Sequence, residues 1–152
     1  MLRRSDGNTM MELLAMIAIV SVLAKAALGH FDTRREDINT TMSMLMGEFR
    51  SARTQAITTG THYALKMTDS QSLTLNRYQQ ADDGTWTVAA TTRTIALPKS
   101  VSWWIYPDTL EFNTRGTMIS ADAPIYAYVT DNIGERAHSF SVWPSGQVHQ
   151  EY

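Results

Sequence analysis

The chain contains no cysteine in 152 residues. That absence excludes disulfides, thiolate metal sites and cysteine nucleophiles within it, so any part facing an oxidising compartment must be held by packing alone. Proline is also scarce. There are four in all, and none falls between Thr9 and Thr59, so no pyrrolidine ring interrupts a helix there. Charge of one sign is lacking too: 13 Lys+Arg against 15 Asp+Glu give a net charge of −2 and a pI near 6.0. Such a balance exerts no general pull on nucleic acid.

Catalytic constellations are missing. None of His30, His62, His138 and His149 stands four residues from another, the spacing of a helical zinc site. Ser145 lies in Pro144-Ser145-Gly146, which lacks the first glycine of a G-x-S-x-G elbow and resembles a hairpin turn. No phosphate-cradling glycine loop is present. Asp82-Asp83 and Asp131-Asn132 offer oxygen ligands, but polar turns between strands prefer the same residues. Neither enzymatic activity, nor a cofactor, nor a metal is expected. No internal repeat or low-complexity linker appears, and the length suits one domain with at most an appended helix.

The run Gly7-Asn8-Thr9-Met10-Met11-Glu12-Leu13-Leu14 opens an apolar stretch reaching about Leu28. Before it lies a short basic leader whose Arg3 and Arg4 favour the cytoplasmic side of a membrane. A carboxylate at Glu12 costs roughly 2.5–3.5 kcal/mol on membrane insertion, so spanning alone does not account for it. A secretory signal peptide has a basic start, an apolar core of about 7–15 residues and a small-residue cleavage site. Here Ala24-Lys25-Ala26 is a poor version of that site, and Glu12 is out of place. A plain anchor is the other reading. Its uninterrupted run from Leu13 to Ala24 is shorter than the ~20 residues that span a bilayer, although Lys25 can snorkel to the far interface.

The segment resembles the N-terminal signature of type IV pilins and pseudopilins. In that family a basic leader ends in glycine, and the mature chain has glutamate at its fifth position within an apolar helix. The resemblance implies that a prepilin peptidase cuts between Gly7 and Asn8 and methylates the amino group of Asn8. Glu12 then becomes the fibre-assembly glutamate. Three positions depart from the pattern. Asn8 replaces the usual Phe or Met, Gly29 stands where a proline commonly closes the run, and Lys25 interrupts the apolar face. A free amino group at Asn8 and the Glu12 carboxylate are each costly in a membrane, and each lowers the other's penalty by pairing.

From Asp32 to Thr59, Ile38, Met42, Leu45, Phe49, Ala52 and Ala56 recur at spacings of four and three, which predicts one apolar helical face. Asp32, Glu36 and Asp37 at its start and Arg50 and Arg53 toward its end follow the order the helix dipole favours. Gly60 supplies a stop. Met44 and Met46 lie off the main stripe, facing either neighbouring subunits or the core. From His62 the period changes to two. Strands are expected at 62–67, around Leu73 and Leu75, from Trp86, around Ile95 and Leu97, and then at 101–106, 110–112, 125–129 and 139–143. One helix followed by strands is an α+β arrangement. Trp103 and Trp104 should face opposite sides of their strand, one buried and one at the surface.

A narrower resemblance, to GspH/FimT-type minor pilins and pseudopilins, rests on segments in family order. They are Ser51-Ala52-Arg53-Thr54-Gln55-Ala56-Ile57, Leu97-Pro98-Lys99-Ser100-Val101, Phe112-Asn113-Thr114-Arg115-Gly116, and Phe140-Ser141-Val142 followed by Ser145-Gly146-Gln147-Val148. It implies an α+β, pilin-like fold: a long N-terminal helix, membrane half plus amphipathic half, packed on antiparallel β-sheets. The expected divisions are leader 1–7, transmembrane half 8–31, and an extracytoplasmic globular domain 32–152 that includes the amphipathic helix 32–59. The implied function is that of a minor pseudopilin of a type II secretion system, at or near a fibre tip. A minor pilin of a type IV pilus or a competence pseudopilus is the alternative. Implied partners are the prepilin peptidase, other major and minor pilins or pseudopilins, the inner-membrane assembly platform and membrane lipid. The protein would sit in the inner membrane by a single pass, with its C-terminal domain outside the cytoplasm, until incorporated into the fibre. Some FimT-like pilins take up DNA through a basic C-terminal segment. Gln147 to Tyr152 contains no Lys or Arg, and phosphate neutralisation dominates such affinity. Nucleic acid is therefore not the expected partner, DNA uptake stays an alternative function, and Lys99, Arg115 and Arg136 remain as a candidate basic patch.

Overall fold

A computed structural model describes residues 6–131, 134 and 136–151, and the side chains of all these except 6–9 and 27–35. Helix α1 runs Asp6–Thr59. It ends where Gly60 turns to a φ of 66° and its N–H closes on the Ala56 carbonyl at 3.1 Å, a conformation that glycine adopts without a Cβ penalty. Among the described residues eight strands follow: β1 Tyr63–Asp69, β2 Ser72–Gln80, β3 Trp86–Ala96, β4 Val101–Ile105, β5 Thr109–Phe112, β6 Ile125–Asp131, β7 Ala137–Val142 and β8 Val148–Glu151. They form two four-stranded antiparallel sheets, ordered β3-β2-β1-β5 and β4-β6-β7-β8. The α+β expectation holds.

The chain divides into two compact units, Met1–Glu36 and Asp37–Tyr152. In the second, every residue of the expected stripe from Ile38 to Ala56 is buried, and it shares one core with Leu65, Leu75 and Leu110 of the first sheet and Trp103, Val129 and Phe140 of the second. Each such Leu, Ile or Phe contributes roughly 1.5–3 kcal/mol on full burial. Phe49 and Phe140 meet edge to face with centroids 5.5 Å apart.

Several expectations need correction. Met46 is buried in this core and Met44 packs against it, so the pair widens the apolar stripe of the helix. The last turn of α1 holds no basic residue. Arg50 and Arg53 reach across to the strands' turns instead, donating to the carbonyls of Val148 at 3.4 Å and Gly116 at 3.1 Å. The segments around Trp86 and Ile95 belong to one strand, β3. Its register against β2 shifts twice, between Leu75 and Asn76 and between Arg77 and Tyr78. Those irregularities break the phase of the alternation and leave Val88 exposed.

Among the described residues no helix is long and apolar enough to cross a membrane. The membrane half expected at 8–31 includes Asn8, Thr9 and 27–31, whose side chains lie outside those described. Leader residues 1–5 and Asn132 also lie outside.

Candidate functional site

Gly7 and Asn8 fall in the first turns of α1, so the expected scissile bond sits in helical backbone. Glu12 is exposed on the same helix. So is every residue from Met10 to Ala26, including Met10 and Met11 at 72% and 74% and Leu13, Leu14, Ile17 and Val20 at 54–63%. These positions cover all sides of a helix with 3.6 residues per turn. An amphipathic helix buries one stripe; a helix apolar all round needs an apolar environment on every side. Ser21 keeps its hydroxyl within the helix, donating to the Ile17 carbonyl at 2.7 Å, the internal satisfaction that such an environment demands. At 1.5 Å per residue, Glu12 and Lys25 lie about 20 Å apart along the axis. This segment is mostly apolar and exposed on all sides, with one carboxylate near its start.

In the second unit, three of the four quoted sequence segments, around Arg53, Gly116 and Gly146, meet in one contact. The turn after β5 is tied by Asn113, whose Oδ1 accepts from the amides of Arg115 at 2.9 Å and Thr117 at 3.1 Å. It presents Gly116 at a φ of 74° against Ile57 and Arg53. The turn before β8 presents Gly146 at a φ of 77°, so close that a Cβ there would lie 2.2 Å from the Gly116 carbonyl oxygen. Arg53 donates to that same oxygen. Beside this contact is an open cleft of about 270 Å³ lined by Arg50, Arg53, Gly146, Gln147, Val148 and His149.

The remaining polar candidates are structural. His62, 9% exposed, donates from Nδ1 to Glu111 Oε1 at 2.8 Å and stacks on Trp86 with centroids 3.7 Å apart. The three residues tie β5, β1 and β3 across the first sheet. Burial, and then the nearby Glu111 carboxylate, raise the Tyr78 hydroxyl above its ordinary 10.0. Asp83 accepts the Thr85 hydroxyl at 2.6 Å and its amide at 2.9 Å, and these bonds hold its pKa below the usual carboxylate value. The main-chain carbonyl of Asp131 accepts the Gly134 amide at 3.0 Å, and its Oδ1 accepts the Arg136 amide at 3.5 Å. Both aspartates act as turn residues. Among the described residues no group of three or more His, Asp or Glu could hold a metal.

The candidate basic patch is divided. Ser100, next to Lys99, donates to Asp37 at 2.6 Å, whereas Gly116, next to Arg115, meets Arg53. Those helix positions lie roughly 24 Å apart along α1. The aromatic expectation is met: Trp103 is 1% exposed and Trp104 50%.

Sequence reasoning did not find that Trp104 belongs to a group. Tyr106, Tyr126 and Trp143 are also exposed. Trp104 pairs across the strands with Tyr128 and stacks on it, centroids 4.7 Å apart. The signal was present in the alternation of 101–106 and 125–129, but pairing β4 with β6 requires the sheet order.

No protein-family model matches the sequence, and no curated protein matches it significantly. Solved structures do. The type IV minor pilin FimU of Pseudomonas aeruginosa is similar with a TM-score of 0.63 at 15% identity, over 79% of this chain and 92% of that one. The minor pseudopilin EpsH from the type II secretion system of Vibrio cholerae is similar with a TM-score of 0.57 at 13% identity, over 76% of this chain and 96% of that one. The likeness is one of fold: a helix packed on two antiparallel sheets, covering nearly the full length of both comparison chains.

Proposed function

We propose that this chain with a pilin-like fold is a minor subunit of a pilus-like fibre, processed at Gly7 and held in the inner membrane by the N-terminal part of α1 before assembly. The observation that carries the reading is the helix segment Met10–Ala26, apolar around its circumference and exposed throughout. Such a surface is stable in only two settings, a lipid bilayer or a bundle of like helices, and a fibre subunit passes from one to the other. Glu12 gives the bundle its register. In this reading the carboxylate pairs with the free, methylated amino group of Asn8 on a neighbouring subunit, since either charge alone is expensive in an apolar bundle. The partners are the prepilin peptidase, the assembly platform and other pilins or pseudopilins.

Two machines fit. A type II secretion pseudopilus is supported by the likeness to EpsH. A type IV pilus is supported by the likeness to FimU, which has the higher TM-score. Both use the same processing and the same helix packing.

The test is the intact mass of the protein extracted from membranes of cells that carry a prepilin peptidase. Loss of Met1–Gly7 together with one added methyl group is expected. An uncleaved chain, or one cut near Ala26, overturns the fibre mechanism. Covalent capture of neighbours in the same cells then identifies the machine by its other subunits.

A further inference from the structure

We propose that the outer face of the β4-β6-β7-β8 sheet binds a neutral saccharide. Among the described residues of the unit Asp37–Tyr152 the strongly exposed aromatic residues are Trp104, Tyr106, Tyr126 and Trp143, at 50%, 82%, 48% and 47%. Trp104 and Tyr126 lie on the outward positions of neighbouring strands β4 and β6, opposite the buried Trp103, Ala127 and Val129. Tyr106 follows two positions beyond Trp104, and Trp143 follows β7 directly. Outward positions along one strand are about 6.6 Å apart and neighbouring strands about 4.8 Å, so the rings share one rigid platform. Trp104 is already stacked on Tyr128, and Trp143 meets the His149 ring edge to face with centroids 6.1 Å apart. Rings ordered before the ligand arrives lose little entropy on binding.

The chemistry between the rings selects the ligand. The four strands contain neither lysine nor arginine. The strands themselves therefore supply none of the phosphate contacts that dominate nucleic-acid affinity, nor the basic cluster that an anionic lipid surface requires. Polar groups stand between the rings instead. Ser139, half-buried, pairs in register with Tyr128, whereas Ser141 pairs with Tyr126 but is 1% exposed and holds the exposed Glu151 carboxylate in place, donating to its Oε1 at 2.6 Å. A partner helix needs a continuous apolar stripe, and this face interrupts its aromatics with a serine and a carboxylate. A pyranose ring fits what remains. Its C–H face packs on an indole or phenol ring, and its hydroxyls exchange hydrogen bonds with tyrosine, serine and carboxylate oxygens. The inference does not depend on the fibre reading, because it concerns a face of the globular unit alone.

The experiment uses the full chain in a zwitterionic detergent without sugar headgroups, applied to an array of neutral glycans. The glycan retained best is then titrated as a soluble oligosaccharide against tryptophan fluorescence. Saturable binding is expected, weakened at least tenfold by Trp104→Ala and severalfold by Tyr106→Ala, and unchanged by Ile57→Ala, an exposed apolar residue elsewhere. Circular dichroism of each variant reports its fold, and Tyr106, the most exposed of the rings, gives the readout if Trp104→Ala misfolds. Absence of retention on every glycan overturns the proposal, as does binding unaffected by both aromatic substitutions. Aromatic-dependent binding of an oligothymidylate, of phosphatidylglycerol vesicles or of a second copy of this chain, in place of any glycan, also overturns it.

Discussion

Gly146 and Gly60 both adopt positive φ, but they carry different constraints. Around Gly60 there is open space, and around Gly146 the nearest carbonyl oxygen would meet a Cβ at 2.2 Å. Gly60→Ala should therefore cost roughly 1 kcal/mol of unfolding free energy by denaturant titration, whereas Gly146→Ala should cost roughly 2–4 kcal/mol. Equal costs would mean that the two turns separate easily. The aspartates in turns make a second residue-level prediction. Hydrogen bonds from the Ser72 and Thr85 side chains come first among the causes that lower the folded pKa values of Asp69 and Asp83 below 3.8. Their stabilisation is therefore present above pH 3.8 and lost as pH falls through the folded values. Asp83→Asn should flatten the acid limb of the stability–pH profile below pH 3.8 and leave the neutral limb's slope unchanged. At this scale the sequence reveals residue types but not their contacts. Ser145-Gly146 is legible as a turn, but its place against Gly116 and Arg53 depends on a fold that brings positions 53, 116 and 146 together.

At the scale of elements, the helix was the most legible part. Spacings of three and four from Ile38 to Ala56 mark one face whatever covers it, and all six stripe residues are buried. Phe49→Ala removes the ring that meets Phe140 and should cost about 3–5 kcal/mol, measured by urea unfolding of the globular unit. A loss below 1 kcal/mol would show that the helix–sheet contact collapses readily around the gap. The strands were legible in number and order but less so in phase. Alternation shows well in β6, central in its sheet, where Ile125, Ala127 and Val129 point inward. It fails in β1, where Tyr63, Ala64 and Leu65 are all buried in succession. In β3, an edge strand, nine of the eleven residues are exposed, since only one neighbour pairs with it. Arg93 there joins Glu48 of the helix, a link between an edge strand and α1 that no local pattern encodes.

For the whole molecule, the decisive contrast is between a globular unit that buries its apolar residues and a helical segment that exposes them. Glu12 interrupts that segment. Glu12→Ala should leave membrane association intact and reduce incorporation into fibres roughly tenfold or more, read as the ratio of fibre-bound to membrane-bound protein. Unchanged incorporation would remove charge pairing from the assembly mechanism. The uninterrupted apolar run from Leu13 to Ala24 makes this segment legible from the sequence as a helix apolar on every side. The aromatic sheet face was not, because its rings come from separated stretches, and only the order β4-β6-β7-β8 sets them side by side.

That topology also has a consequence in time. The stripe Ile38–Ala56 is synthesised before every strand that covers it. β1 pairs with β5, whose first residue is Thr109, and the second sheet closes only with β8 at Val148–Glu151. At roughly 5–20 residues per second, the helix waits about 5–20 s with its core-facing side bare. During that interval the nascent chain presents two greasy surfaces in tandem, and only the second is destined for its own interior. A cell making this protein must shield both while the strands that cover the second are still arriving.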